Sequence, residues 1–521
     1  RKLFELVPNV ILHLKPCLMM SPFTVAQFIK PDIIEFDLII FDEASQIPPE
    51  DAIGSIMRGK QVIIAGDTQQ LPPTTFFQAE VMTSEDYSEE FEDYWTEELD
   101  SILEEVKASG LPSLMLRWHY RSRDESLITF SNKNFYYNKL ITFPNAFKNS
   151  QELGIKFHYV PNGIYDRGGT KTNRIEAEKV AVEVMEHFRK YPNLSLGVGT
   201  FSIQQKYAVE DAIEYLLRQD NSLEYFFKED RSEHFFIKNL ETIQGDERDV
   251  IFISVGYGRD KNGRLTLNFG PINKAGGYRR LNVLITRARY RVEIFSSIKA
   301  DDIDISQTDN YGVKLLKKYL EFAEKGEEVF EYEYSPGEFS ESPFEEAVYL
   351  ALCKLGIPVK RQVGCSGYRI DLAVLDPAHP GKYILGIECD GASYHSHLTA
   401  RDRDRLRQQV LENLGWNIYR IWSVDWFRNP KRELEKLLQA IDLAKRGIYS
   451  KKRHVCEDFI QYAHNIPESE EWKDIETYSL TPITEVASPY DFYLGDICKV
   501  AEKLKIVIEH EGPIYREEAW R

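Results

Sequence analysis

Phe36–Gln46 reads FDLIIFDEASQ and Gln61–Pro73 reads QVIIAGDTQQLPP, and the reading of this pair decides the fold. Each is a short apolar run with polar residues at its C-terminal end. Such runs predict buried strands of a parallel sheet, and open α/β sheets place ligands at the carboxyl ends of their strands. An Asp-Glu pair at such an end suits nucleotide hydrolysis. Asp42 can hold Mg²⁺, Glu43 can activate or orient the attacking water, and Gln70 is placed to sense a γ-phosphate. An Asp-Glu dipeptide alone is commonplace on solvated turns; both runs together, in this order, carry the reading.

A nucleotide motor of this kind also needs a Gly-rich loop ending in Gly-Lys-Ser/Thr. The Gly-Lys pairs present, Gly59-Lys60-Gln61 and Gly381-Lys382-Tyr383, do not fit. The chain is therefore expected to be a fragment that begins inside the first motor domain, to depend on a missing N-terminal part of the same polypeptide, and to lack ATPase activity by itself.

At 521 residues the chain should hold three or four domains. No apolar run approaches the length of a membrane span, and no membrane partner is expected. Cys17, Cys353, Cys365, Cys389, Cys456 and Cys498 are scattered without a Cys-x-x-Cys pair, which argues against a zinc cluster and for a reducing cytoplasm. The net charge of −18 disfavours nonspecific attraction to nucleic acid without excluding a local basic track. Much of the acid is concentrated: Glu80–Glu105 holds twelve Asp/Glu and no Lys or Arg, so it reads as a solvated, helical, acidic insertion.

Along the chain, 1–112 reads as the C-terminal part of a first motor domain with this insertion. Residues 113–325 alternate strands (Leu194–Thr200, Asp249–Ser254, Val292–Ser297) with helices (Arg174–Tyr191, Ile203–Leu217), which predicts a parallel sheet covered on both faces. Residues 326–342 read as a linker, 343–447 as a smaller α/β unit, and 448–521 as a partial C-terminal domain.

Three further motifs lie in 113–325: LRWHYRSR (116–123), TIQGDERD (242–249) and RRLNVLITRAR (279–289), the last reading as a helix with Arg280 and Arg287 on polar positions. Guanidinium groups brought from a second domain stabilise the charge that builds on a γ-phosphate during hydrolysis. The order of these motifs resembles superfamily 1 helicases, nearest the Upf-like branch. The resemblance implies RecA-like domains, the first incomplete, and ATP with Mg²⁺ as cofactors. It also implies arginine fingers at Arg121 and Arg287, and a coupling motif at Gln244-Gly245 with Glu247 near the ribose. Pro22-Phe23-Thr24 and the segment of Thr200, Phe201 and Gln204 resemble the nucleic-acid contacts of the two domains, by phosphate contact and stacking. Packing roles for Phe23 and Phe201 remain open at this level.

Residues 343–425 carry a second chemistry. Glu345 begins an amphipathic helix, Gly367-Tyr368-Arg369-Ile370-Asp371 opens a strand, and Gly386-Ile387-Glu388-Cys389-Asp390-Gly391 ends the next. Carboxylates on adjacent strands can converge on a divalent cation, and His395 can act as an acid/base group or orient water. Arg401 and Arg407 follow on a helix of alternating charge, readable as a solvated face or as DNA-phosphate contacts. The pattern resembles the restriction-endonuclease-like superfamily, most nearly its Vsr-type branch. It implies Asp371 as principal metal ligand, Glu388 and the Cys389 carbonyl completing the site, Asp390 and His395 assisting, and Glu345 as a secondary acidic residue, with Mg²⁺ or Mn²⁺ as the ion. Asp390 stands where most of that superfamily has Lys. The last residues resemble the opening of a winged-helix-like domain.

Together these expectations describe an α/β helicase–nuclease fusion acting on DNA, of a kind associated with bacterial antiphage defence. The rivals are an RNA helicase, or a nucleic-acid sensor whose nuclease is inert.

Overall fold

The computed structural model describes residues 2–31, 33–73, 101–146, 152–228, 233–326, 329, 342–364, 368–379, 381–390, 398–447 and 449. Most of the acidic segment 80–105 and of the 326–342 linker, and nearly all of 448–521, lie outside these residues. The described residues fall into two compact units, 1–68 with 72–112, and 69–71 with 113–451.

The first unit contains α1 (Pro22–Phe28), β1 (Ile39–Phe41), α2 (Pro49–Ile56), β2 (Val62–Ile64) and α3 (Ile102–Ala108). Ser21 caps α1 by accepting the Thr24 N–H, and proline opens both α1 and α2, where a missing N–H costs nothing. The two strands pair in parallel, Ile39 with Val62 and Phe41 with Ile64, as expected. They are not buried on both faces: Phe41, Ala44, Ala52 and Ile102 form a core on one side, while Ile40 is 62% and Ile63 51% exposed.

The second unit opens with α4 (Ser126–Phe135), β3 (Gly154–Tyr159), α5 (Arg174–Lys190), β4 (Leu196–Thr200), α6 (Ile203–Gln219), β5 (Phe236–Asn239), β6 (Arg248–Ser254), α7 (Gly277–Ile285), β7 (Ala288–Ser296) and α8 (Tyr311–Lys325). Its five strands run parallel in the order β3-β7-β6-β4-β5. The apolar stripe Ala177, Val180, Ala181, Val184, Phe188 of α5 recurs at helical spacing and packs with α6 on one face. Helices α7 and α8 cover the other, with Leu281, Leu284, Leu316 and Leu320 in that core. Strands β3 and β5 escape the sequence reading because GIKFHY and FIKN are short and partly polar.

The motif RRLNVLITRAR is not one helix. Helix α7 stops at Ile285, and Ala288 already pairs with Arg248 in the sheet. Thr286 ends the helix by donating its hydroxyl to the Asn282 (2.9 Å) and Val283 (3.1 Å) carbonyls, after which the β-branched and aromatic run to Ser296 continues as a strand. Arg280 is buried against the core instead of facing solvent, its guanidinium donating to the Ala275 carbonyl.

A buried polar network ties α5 and α6 to the strand ends. Glu176 Oε1 accepts from Ser254 Oγ and Gly256 N, both at 2.7 Å, and Gln205 bonds Asn173 and Ser254. Burial pushes the Glu176 carboxyl up to about 7, against the opposing pull of these donors. Because the folded-state value exceeds that of an unfolded carboxyl, the contribution of Glu176 is fully present below about pH 4.5 and is lost as pH rises to about 7. The span corresponds to about 3 kcal/mol. Urea unfolding of the chain should show this decline between those pH values, and Glu176→Gln should flatten it; an unchanged slope would contradict the assignment.

The same unit continues with α9 (Pro343–Lys354), β8 (Val359–Val363), β9 (Ile370–Leu375), β10 (Tyr383–Asp390), α10 (Leu398–Asn413), β11 (Ile418–Trp422), α11 (Ser423–Arg428) and α12 (Pro430–Lys445). The sheet order is β11-β10-β9-β8, parallel only between β10 and β11. One core packs Phe344, Val348 and Leu352 of α9 with Leu437 and Ile441 of α12. The other gathers Ile370, Leu411, Trp416 and Ile418 with Phe143 and Ala146, so the expected 326–342 linker does not separate two independent cores.

Candidate functional site

Asp42 and Glu43 follow β1 directly, in the first unit. Glu43 adopts the left-handed region (φ 53°), donates its N–H to Asp42 Oδ1 at 3.0 Å, and accepts from Gln46 Nε2 on Oε2 at 3.3 Å. A non-glycine residue held there costs about 1–3 kcal/mol and is characteristic of functional turns. The two quoted motifs meet at this turn, where Ala44 N donates to Ala65 O at 2.9 Å. A Cβ on Gly66 would lie 2.9 Å from Ser45 N and 3.1 Å from Ala44 N, so the close approach requires glycine. Phe23 is 77% exposed in the first turn of α1, available to a ligand, and the Thr24 hydroxyl bonds Ser21 Oγ.

The remaining residues expected at the nucleotide site belong to the second unit. There the Gln69 carbonyl accepts from Asn282 Nδ2 at 3.0 Å, and the same amide bonds the Tyr136 hydroxyl, which anchors the start of the Gln70 segment to α7. Arg121 Nε pairs with Glu247 Oε2 at 3.1 Å, and Arg289 approaches Oε1 of the same carboxylate at 3.6 Å, joining two motifs far apart in sequence. Burial and the Arg121 charge push the His119 imidazole down to about 4, so it is neutral at pH 7 and shares a hydrogen bond with Ser122 Oγ. Arg287 is 5% exposed and donates to Val283 O (2.8 Å) and Thr286 Oγ1 (3.0 Å) at the end of α7. Gly245 turns the chain at φ 85° after the half-buried Gln244.

One expected nucleic-acid segment is altered by the fold. Phe201 is 1% exposed inside the core and does not offer a ring to a base; Thr200 is buried and spends its hydroxyl on Ser202 O. Gln204 is half-buried. At the carboxyl end of β4 the backbone of this segment is held by Leu240 N donating to Thr200 O (3.0 Å) and Phe201 N to Ser254 O (3.3 Å).

In the smaller sheet, Asp371 on β9 and Glu388 on β10 flank the Leu372–Ile387 pair. Asp371 Oδ2 accepts from Cys389 N at 2.8 Å, and the Tyr368 hydroxyl donates to Glu388 Oε1. Burial, then the charges of Glu388, Glu345 and Asp390, raise the Asp371 carboxyl to about 7 despite the Cys389 N–H. Burial likewise raises Glu388, opposed by Tyr368 and Arg420. Asp390 is approached by the Arg420 guanidinium at 3.5 Å, and Glu345 Oε2 accepts from Gln362 Nε2 at 3.0 Å. Gln362 itself sits at φ 50°. His395 and the Arg401 side chain lie outside the described residues; Arg407 stacks over Trp118 and Tyr368.

Mutual repulsion among desolvated carboxylates is relieved by a cation, and an all-oxygen donor set suits Mg²⁺ or Mn²⁺. Asp371, Glu388 and the Cys389 carbonyl fit such an ion in chemistry, although among the described residues no three His, Cys, Asp or Glu side chains form a metal-holding group. Tyr368 and Arg420 are the partners that sequence reasoning missed. Tyr368 stood inside the quoted Gly-Tyr-Arg-Ile-Asp stretch, and Arg420 shares alternation with Ile418 on β11, but neither neighbourhood is local in sequence.

Residues 24–78 match the AAA_11 family and 99–299 the AAA_12 family, both AAA domains, and 344–441 match the REase_MTES_1575 family. The chain is 32% identical over 424 residues to the uncharacterized ATP-dependent helicase MG140 homolog of Mycoplasma pneumoniae, covering 77% of this chain and 36% of the relative. It is 32% identical over 428 residues to the uncharacterized ATP-dependent helicase MG140 of Mycoplasma genitalium (78% and 37%), and 26% identical over 295 residues to helicase sen1 of Schizosaccharomyces pombe (53% and 16%). It thus spans little more than a third of the Mycoplasma relatives. The chain carries Upf-like AAA helicase domains followed by a restriction-endonuclease-like domain.

Proposed function

We propose that the whole protein is a cytoplasmic, ATP-driven motor on DNA joined to a divalent-metal-dependent endonuclease, used in bacterial antiphage defence. The observation that carries the nuclease half is the pair of half-buried carboxylates, Asp371 and Glu388, side by side on neighbouring strands with their protonation pushed upward. In this reading Asp371, Glu388 and the Cys389 carbonyl hold Mg²⁺ or Mn²⁺, with Asp390, His395 and Glu345 around them. A cation so held polarises a phosphodiester and lowers the pKa of water. Arg401 and Arg407 contact DNA phosphates. In the motor, Asp42 holds Mg²⁺, Glu43 orients water, Gln70 senses the γ-phosphate, Arg121 and Arg287 neutralise phosphate charge, and Gln244, Gly245 and Glu247 contact nucleotide. Arg121 reaches phosphate by exchanging its bond to Glu247, a switchable pairing of two half-exposed side chains. Phe23, Thr24 and Gln204 lie along the nucleic-acid track. The defence role rests on the sequence resemblance.

The test compares ATP hydrolysis by the whole protein with single-stranded DNA or RNA, and DNA cutting with Mg²⁺, Mn²⁺ or a chelator. Stronger stimulation by DNA and metal-dependent cutting are expected. Stronger stimulation by RNA would overturn the substrate. Binding without cutting would favour the sensor reading, to which Asp390 in place of Lys lends some support.

A further inference from the structure

The nuclease sheet packs on the motor with the face that bears its carboxylates. Along β10, Leu385, Ile387 and Cys389 enter the core shared with α9 and α12, so Glu388 and Asp390 alternate to the other side. That other side carries Ile418 of β11 and meets Phe143 and Ala146, with Trp118 and Ile141 packed alongside. A register shift between Tyr383 and Leu385 turns Tyr383 onto the same side. The junction is hydrogen-bonded as well as apolar. Trp416 Nε1 donates to Pro144 O at 2.7 Å, Tyr383 N to Ala146 O at 2.9 Å, and Arg123 to Asn413 O at the end of α10 at 2.6 Å.

Tyr368 stands where this junction reaches the carboxylates. Its hydroxyl donates to Glu388 Oε1, while its ring lies 5.3 Å from that of Phe143 and 5.6 Å from the Arg407 guanidinium. Phe143 in turn meets Trp118 edge-on at 5.7 Å, and Arg407 lies 5.9 Å from the Trp118 ring. Trp118 is bridged to Ile141 through His119 N to Ile141 O (3.0 Å) and Ile141 N to Arg117 O (2.7 Å). The wall behind Tyr368 is therefore built from motor residues on two paired segments.

We propose that Tyr368 is a positioning residue for Glu388 whose own ring is set by Phe143 and Trp118, so that the motor domain forms part of the nuclease site. The proposal rests on the nuclease reading above. Tyr368 takes no part in bond making; it orients a carboxylate toward the cation, as hydrogen-bond partners of metal ligands do, at a typical cost of about 10–100-fold in metal affinity when removed. A ring that merely fills the junction would be replaced without loss by phenylalanine.

The experiment is Mn²⁺ binding to the whole protein without nucleotide or DNA, followed by the electron paramagnetic resonance of the free ion, with Asp371→Ala defining the nuclease share. Tyr368→Phe should weaken that share about 10–100-fold with an unchanged melting temperature. Phe143→Leu, on the motor side, should weaken it in the same direction, and the double variant should lose no more than the worse single one, because both act through one hydrogen bond. Unchanged or tighter binding by Tyr368→Phe overturns the proposal, and so do losses that multiply in the double variant. Absence of any Asp371-dependent binding in the wild type instead overturns the nuclease reading, and the proposal falls with it.

Discussion

Asp371→Ala should reduce metal-dependent DNA cutting by the whole protein by about 10³-fold or more. A bound cation supplies several kcal/mol of transition-state stabilisation, and each 1.36 kcal/mol is about tenfold in rate. Asp371 is the carboxylate on which the charges of Glu388, Glu345 and Asp390 all bear, so it gains most from a cation. Alanine also leaves the Cys389 N–H without its acceptor, at a cost of about 1–3 kcal/mol in stability. Asp371→Asn keeps an acceptor oxygen for that N–H and removes the charge. Loss of cutting in both variants, with the asparagine variant melting like wild type, assigns the effect to the carboxylate charge. Cutting by Asp371→Asn at the wild-type rate would refute the assignment.

Glu43→Gln should lower ATP turnover by the whole protein about 10²–10⁴-fold, the usual contribution of a positioned base, while nucleotide affinity changes little. The substitution is nearly isosteric. It keeps the backbone at φ 53°, the N–H bond to Asp42 Oδ1 and one oxygen able to accept from Gln46, and it removes the negative charge by turning the other oxygen into an amino group. The measurement is kcat beside the dissociation constant of a non-hydrolysable nucleotide. Equal loss in binding and turnover would place Glu43 in nucleotide retention and not in water activation. Unchanged turnover would remove it from the chemistry.

How far the site was legible differs between its two halves. The strand-end placement of Asp42, Glu43, Asp371 and Glu388 could be read because each closes or opens an apolar run, and strand ends are local features of a sequence. Tyr368 could not be read as a partner of Glu388, since twenty residues and a strand reversal separate them. Arg420 reaches Asp390 only because β10 and β11 pair in parallel. Phe201 looked like a candidate stacking ring because an aromatic after a strand is ambiguous by itself; its neighbours in the core, not its spacing, make it a packing residue. The RRLNVLITRAR motif misled for a related reason. Its first half has helical periodicity, and the switch to strand after Thr286 depends on pairing with Arg248, which no helical count detects.

Hydrophobic periodicity, strand-end carboxylates and motif order sufficed by themselves for the α/β class, for the five-stranded parallel sheet and for most helix and strand positions of the restriction-endonuclease-like domain. These are local properties, set by the repeat of apolar side chains along three to seventeen residues, and they survive without knowledge of neighbours. The tertiary structure alone decided that the restriction-endonuclease-like domain shares a core with the AAA domain before it, that Arg121 is paired with Glu247, and that Tyr368 bridges Phe143 and Glu388. Contacts of this kind depend on which faces meet once loops have closed, and that choice is made by packing and desolvation across the whole unit, which no local window of sequence contains.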